Sequence, residues 1–283
     1  MPPRIALLHR TIYHYERPVL LGPQWIRLRP LPDPRWATPS SRLMIEPQPA
    51  SLHWIADALG NPVARVMLAG PVGGLTIENR IELDLVPRNP FDFVLDAGCE
   101  QWPFTYASNE AAVLQPFTVP DATGPLLDGL RKETAGVEDT VGLVLALGAR
   151  VRQRVAYVVR PEAGVWAPER TLDEGRGSCR DSAWLLVQLL RLHGLAARFV
   201  SGYLVQLATA ERPDNAELHA WAEVFLPGAG WIGIDATSGL LTAEGHVALA
   251  AAPGPDGAAP LRGTMEPGAA RLETTMTVER LAA

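Results

Sequence analysis

Residues 176–190 read RGSCRDSAWLLVQLL, and this stretch sets the reading of the whole chain. Ala183, Leu186, Leu189, Leu190 and His193 recur at helical spacing, with Trp184 and Leu185 widening the apolar face. Gly194 is a good stop. The pattern predicts a helix over 179–194 whose first turn carries Cys179. A thiol attacks a carbonyl as the thiolate. A helix N-terminus favours that form, because its unpaired backbone N–H groups carry partial positive charge. The same N–H groups could hold an oxyanion. Gly175 and Gly177 come just before, and two residues without side chains would let a substrate backbone approach.

A cysteine at a helix start is more often a small buried filler than a nucleophile. The catalytic reading therefore needs a base and a group to orient it. His219, in LHAWAEVFLP, opens a predicted strand. Asp235, in GWIGIDATSG, lies near the end of the next one, and PGAG at 227–230 joins the two as a hairpin. His219 is 8 residues before Pro227 and Asp235 is 5 beyond Gly230, a register that lets the side chains meet. The order Cys, His, Asp on a helix and two paired strands follows the logic of nucleophile, base and orienting group.

The first hundred or so residues are β-rich. RTIYHYERPVLLG sets Thr11, Tyr13 and Tyr15 against Ile12 and His14, and LTIENRIELDLVPR places Ile77, Asn79, Ile81, Leu83 and Leu85 on one register. Dense Pro and Gly between short strands suggest a sandwich. Residues 103–125 combine turn chemistry with little periodicity and read as a linker. PLLDGLRKETAG and DTVGLVLALGARVRQRVAYV read as helices, 159–177 as a polar loop, AARFVSGYLVQL as a strand, and the Ala/Gly/Pro-rich 250–270 as loop. LETTMTVERL alternates again and could return as a strand. The expected fold class is α+β. A β-rich N-terminal domain over 1–110 precedes a catalytic domain over 111–250 and a tail over 251–283.

At 283 residues the chain can bury a large core, and a formal charge of −6 gives no electrostatic reason to expect nucleic acid as a partner. The longest apolar run, VGLVLALGA, is about half a membrane span. Two distant cysteines make no disulfide framework and suit a reducing compartment, so a cytoplasmic location is expected. The N-terminal residues lack the apolar core of a secretory signal.

The blocks GSCRDSAWLLVQLLRLHGLAARFVSGYL and LHAWAEVFLPGAGWIGIDATSG resemble the transglutaminase-like family of bacteria. HRTIYHYERPV, IRLRP and DALGN resemble that family's N-terminal region, so the resemblance covers roughly 4–250. It implies a papain-like core with Cys179, His219 and Asp235 as triad, acting through a thioester on a peptide or protein amide, with no cofactor. It also implies that such modules occur within longer bacterial proteins or beside ATP-grasp-type ligases. Two positions depart from the pattern: Ala236 stands where the family often has Pro, and Ser182 where an aromatic residue is usual. Hydrolysis by a peptidase or amidase is the favoured outcome. Transfer to an amine, as in a protein-glutamine transglutaminase, and a non-catalytic binding module are the alternatives.

Other residues have plainer readings. Cys99 has no companions. His9 and His14 face opposite sides of a strand, so no metal site is expected there, and His193 suits a helix end. Asp181 is read as structural. Trp166, in the loop before the nucleophile, is the first candidate to line a substrate cleft, and Tyr203 and Trp221 are the next.

Overall fold

The computed structural model describes residues 2–33, 39–134, 136–209 and 212–282. The chain opens with strands β1 (Arg4–Val19), β2 (Leu21–Ile26), β3 (Ser40–Glu46), β4 (Ser51–Ala56), β5 (Pro62–Met67) and β6 (Val72–Asp84). Helices α1 (Ser108–Thr118), α2 (Pro125–Lys132) and α3 (Thr140–Arg154) follow, then β7 (Ala156–Tyr157), α4 (Pro168–Glu174), β8 (Arg176–Gly177) and α5 (Cys179–Leu192). Strands β9 (Ala197–Gln206), β10 (Asn215–Leu226), β11 (Gly230–Asp235), β12 (Leu240–Leu241) and β13 (His246–Ala252) form the next sheet. A short 3₁₀ turn, β14 (Leu261–Met265) and β15 (Ala270–Arg280) complete the chain. The fold class is α+β, as the sequence predicts.

Two four-stranded antiparallel sheets, ordered β15-β1-β6-β3 and β14-β2-β5-β4, form the β-rich part. Alternation along β1 and β6 turns Ile5, Leu7, Ile77 and Ile81 inward, where they pack on Ile26, Ala64 and Val66 of the facing sheet. The central sheet, ordered β12-β11-β10-β9-β13, is antiparallel throughout and carries α5 across β9 and β10. Leu185, Leu186, Leu189 and Leu190 of α5 are fully buried in a core shared with α3, β10 and β11.

Tyr203, Val205, Val247 and Leu249 of the central sheet belong to the sandwich core, so the two parts share one apolar interior. The Tyr203 hydroxyl meets His9 Nδ1 at 2.8 Å, and His9 Nε2 meets Thr11 Oγ1 at 2.9 Å. Burial pushes the His9 imidazole down to about 4, so the ring is neutral at this junction near neutral pH.

Three segments are more ordered than the sequence suggests. The expected linker contains α1, whose Leu114 is buried while most of the helix faces solvent, which explains the missing periodicity. The expected loop at 159–177 contains α4, with Pro168 at its start and Gly175 in the left-handed conformation at its end. The expected loop at 250–270 holds the end of β13 and all of β14, while LETTMTVERL, read as a possible strand, supplies most of β15. Residues 246–252 form the β13 edge of the central sheet, β14 pairs with β2, and β15 pairs with β1 from Ile5↔Arg280 to Tyr15↔Ala270. The Ala-rich run of β13 is buried almost throughout, so it shows no alternation to read.

Gly202 pairs with His219 on one side and Ala248 on the other, and a Cβ there would enter the Val247 carbonyl and the Trp221 ring. Gly202→Ala is expected to destabilise the fold by about 2–3 kcal/mol, read as a lower urea midpoint at unchanged m-value. A midpoint equal to that of the unmodified protein contradicts this packing.

Candidate active site

The first turn of α5 is fixed by one buried carboxylate. Asp181 Oδ2 accepts from the Ser178 backbone N–H at 2.8 Å and from the Ser178 hydroxyl at 2.7 Å, the backward reach of a capping box. Both Asp181 oxygens receive the Arg160 guanidinium, each at 3.0 Å, and Oδ1 also accepts the Trp166 N–H at 2.8 Å. The carboxyl is fully buried; burial opposes its charge, but these donors outweigh that and hold it below the ordinary aspartate range. Gly177 packs against Asp181, where a Cβ would meet the Asp181 Cβ at 3.0 Å. Its bareness therefore leaves room for this carboxylate.

Cys179 follows directly at the first helical position and is 9% exposed. His219 comes from β10 and Asp235 from the end of β11. The hairpin register Ala222↔Ile234 leaves the two side chains diagonally opposed across neighbouring strands. His219 Nε2 lies 3.2 Å from Asp235 Oδ2, and both side chains are almost wholly buried. The contact is an ion pair in range without a straight N–H···O line. Asp235 Oδ1 accepts from the Thr237 N–H and hydroxyl, each at 2.8 Å, so the carboxylate cannot rotate freely.

Burial alone would lower the His219 pKa. Asp235, followed by Cys179 facing the same ring, outweighs burial and raises it to about 10. For Asp235, burial opposes the charge, yet His219, His246 and Thr237 hold its pKa far below the ordinary range. The structure thus brings Cys179, His219 and Asp235 into one electrostatic cluster.

The three suggested cleft residues separate. Trp166 lies in a surface groove of about 560 Å³, its ring between the Arg160 and Arg170 guanidinium groups at 4.7 and 4.1 Å. Its backbone bond to Asp181 ties that groove to the nucleophile turn. Trp221 is 1% exposed and borders a second cleft, of about 460 Å³, between the central sheet and the β-rich part. Tyr203 lines neither cleft; alternation along β9 turns it into the shared core, onto His9.

Sequence reasoning missed three neighbours of the cluster. Tyr157 is half-exposed on β7; burial, then Glu217, Cys179 and Asp235, push its hydroxyl up to about 12. Glu217 Oε1 stands 3.7 Å from His219 Nδ1. His246 Nε2 stands 3.5 Å from Asp235 Oδ2. Tyr157 gave no signal, since its strand has two residues, and Glu217 could have been found from its place two before His219 on one strand face.

Among the described residues, no helix is long and apolar enough to cross a membrane. The Asp181 charge stabilises the fold above its unfolded pKa of 3.8, and that contribution is lost as pH falls through the lower folded value. Asp181→Asn takes from Arg160 its buried carboxylate, leaving only the exposed Glu162 at 3.9 Å, and is expected to cost about 3–5 kcal/mol at pH 7 by denaturant unfolding. The gap to the unmodified protein should narrow below pH 3.8; a gap that is constant with pH contradicts the assignment.

Residues 5–84 match the family model of the bacterial transglutaminase-like N-terminal region, and residues 128–236 match that of the transglutaminase-like superfamily. An uncharacterized protein of Mycobacterium tuberculosis is 26% identical over 261 residues, covering 87% of this chain and 82% of its own. One from Mycobacterium leprae is 25% identical over 282 residues, covering 99% of each. The crystal structure of a candidate cysteine protease from Cytophaga hutchinsonii superposes with a TM-score of 0.73 at 18% identity, covering all of this chain and 92% of that one. A segment that matches the transglutaminase-like superfamily, 128–236, thus follows one that matches the bacterial transglutaminase-like N-terminal region, 5–84.

Proposed function

We propose that this transglutaminase-like cysteine enzyme cleaves amide bonds in peptides or proteins through Cys179, His219 and Asp235. The observation that carries the reading is the 3.2 Å pairing of His219 Nε2 with Asp235, made beside a cysteine at a helix's first turn. With Nε2 occupied by the carboxylate, Nδ1 is the ring atom left for the thiol proton.

His219 takes the proton of Cys179, and the sulfur forms a bond to the substrate carbonyl carbon. The carbonyl oxygen becomes an oxyanion beside the Cys179 N–H at the helix N-terminus. When the tetrahedral adduct collapses, the C–N bond breaks and His219 returns its proton to the leaving amine. The thioester that remains is opened by water, deprotonated by His219, to release a carboxylic acid and the thiol. Transfer to an amine shares every step up to the thioester. We favour hydrolysis because the chain superposes along its full length on a candidate cysteine protease.

Cys99 is an internal control for thiol reactivity, since burial and the nearby Asp96, Glu100 and Glu110 carboxylates raise its pKa. Iodoacetamide at neutral pH, followed by peptide mass spectrometry, should modify Cys179 at least about tenfold faster than Cys99. His219→Ala should remove that advantage. Equal rates at the two cysteines of the unmodified protein refute a working thiol.

A further inference from the structure

His246 is the first residue of β13, outside the segment that matches the superfamily model. Its Nδ1 accepts the Ala243 backbone N–H at 3.3 Å. That donor occupies the Nδ1 lone pair, so the neutral ring carries its proton on Nε2, the atom 3.5 Å from Asp235 Oδ2. The Asp235 oxygens therefore divide their partners: Oδ1 serves Thr237 and Oδ2 faces two imidazoles, His219 at 3.2 Å and His246 at 3.5 Å.

The ligand atoms of His219, Asp235 and His246 lie within 4.8 Å of one another, close enough to share a cation. Ligation through His246 Nε2 would move its proton to Nδ1, against the Ala243 N–H that points there. The tautomer fixed by Ala243 turns an N–H rather than a lone pair toward Asp235, which does not suit a metal.

The place of the ring matters as much as its proton. Trp221 meets it edge to face at 5.3 Å, which fixes its plane. His246 and Trp221 lie on the wall of the 460 Å³ cleft, together with Trp231, Arg198, Glu223 and Thr242. The His246 side chain is 12% exposed, whereas Asp235 behind it is 3% exposed.

We infer that His246 is a positioning residue: its ring stands with Nε2 beside Asp235 Oδ2 and walls the His219–Asp235 pair off from water in the cleft. In a drier setting the pair attracts more strongly, which keeps the His219 ring aligned and charged when it holds the thiol proton. The role rests on the triad reading above. The groups that face His219 are Asp235 from β11, Cys179 from α5, His246 from β13 and Glu217 on its own strand. Tyr157 of β7 faces Glu217, Cys179 and Asp235. His246 lines the cleft and stands 3.5 Å from the Asp235 carboxylate, which does not line it.

The test is the titration of the His219 ring by nitrogen-15 NMR in the full chain, in the unmodified protein, His246→Ala and His246→Gln. The unmodified ring should hold its proton to about pH 10. His246→Ala admits water that screens the His219–Asp235 attraction, the interaction that outweighs burial at this ring, and should move the midpoint down by about one unit or more, toward the ordinary value near 6.5. Gln can place its amide N–H where Nε2 stood, and should keep the midpoint within about half a unit. An unmoved midpoint in the folded Ala variant overturns the role, and so does a Gln variant displaced as far as Ala. Iodoacetamide labelling of the same samples separates the two proposals. If Cys179 labelling is indifferent to His219→Ala, the triad reading fails. If labelling depends on His219 but the midpoint ignores His246, only the positioning role fails.

Discussion

The site depends on one buried carboxylate that no substrate needs to touch. Asp181 accepts from Ser178, Arg160 and Trp166, and so joins the first turn of α5 to the loop that runs before it. Without that joint the helix start would fray, and the backbone N–H groups around Cys179 would lose their direction. Arg160 is itself almost buried and cannot be left unpaired cheaply. The network therefore holds because each member needs the others, and the cysteine is fixed as a consequence.

The second constraint is that thiol and imidazole come from different layers. α5 lies across β9 and β10, while His219 and Asp235 come from the β10–β11 hairpin. Core leucines from α5 and small residues from β10, such as Ala220 and Ala222, set the distance between the layers. Gly202 leaves the space that the Trp221 ring fills beside the neighbouring strand. The β-rich part adds a further tether, since Tyr203 and Val247 share its core and β14 and β15 return to its sheets. The N-terminal sandwich is thus packed directly on the sheet that carries the imidazole.

Much of this was legible in the sequence, and the reasons are specific. α5 declared itself because its apolar face is periodic and Gly194 ends it. The β10–β11 hairpin did so because PGAG is strong turn chemistry between two alternating runs. The β-rich region showed because β1 and β6 each bury one face. What stayed hidden lacks a period. α1 is mostly exposed, β13 is buried on both faces, and α4 is a short helix inside a polar stretch. His246 was missed with β13. Tyr203 was misplaced because an aromatic residue in a strand near His219 can point to either face, and only the β9 register decides which.

The central claim is that Cys179 carries the acyl group of an amide substrate. Intact-protein mass spectrometry of the full chain, quenched in acid after mixing with a peptide-amide library, addresses it directly. The account predicts a covalent acyl adduct that maps to Cys179, is absent from Cys179→Ala, and decays to a free carboxylic acid when no amine is added. Peptide cleavage that persists unchanged in Cys179→Ala, or an adduct that maps elsewhere, would contradict it.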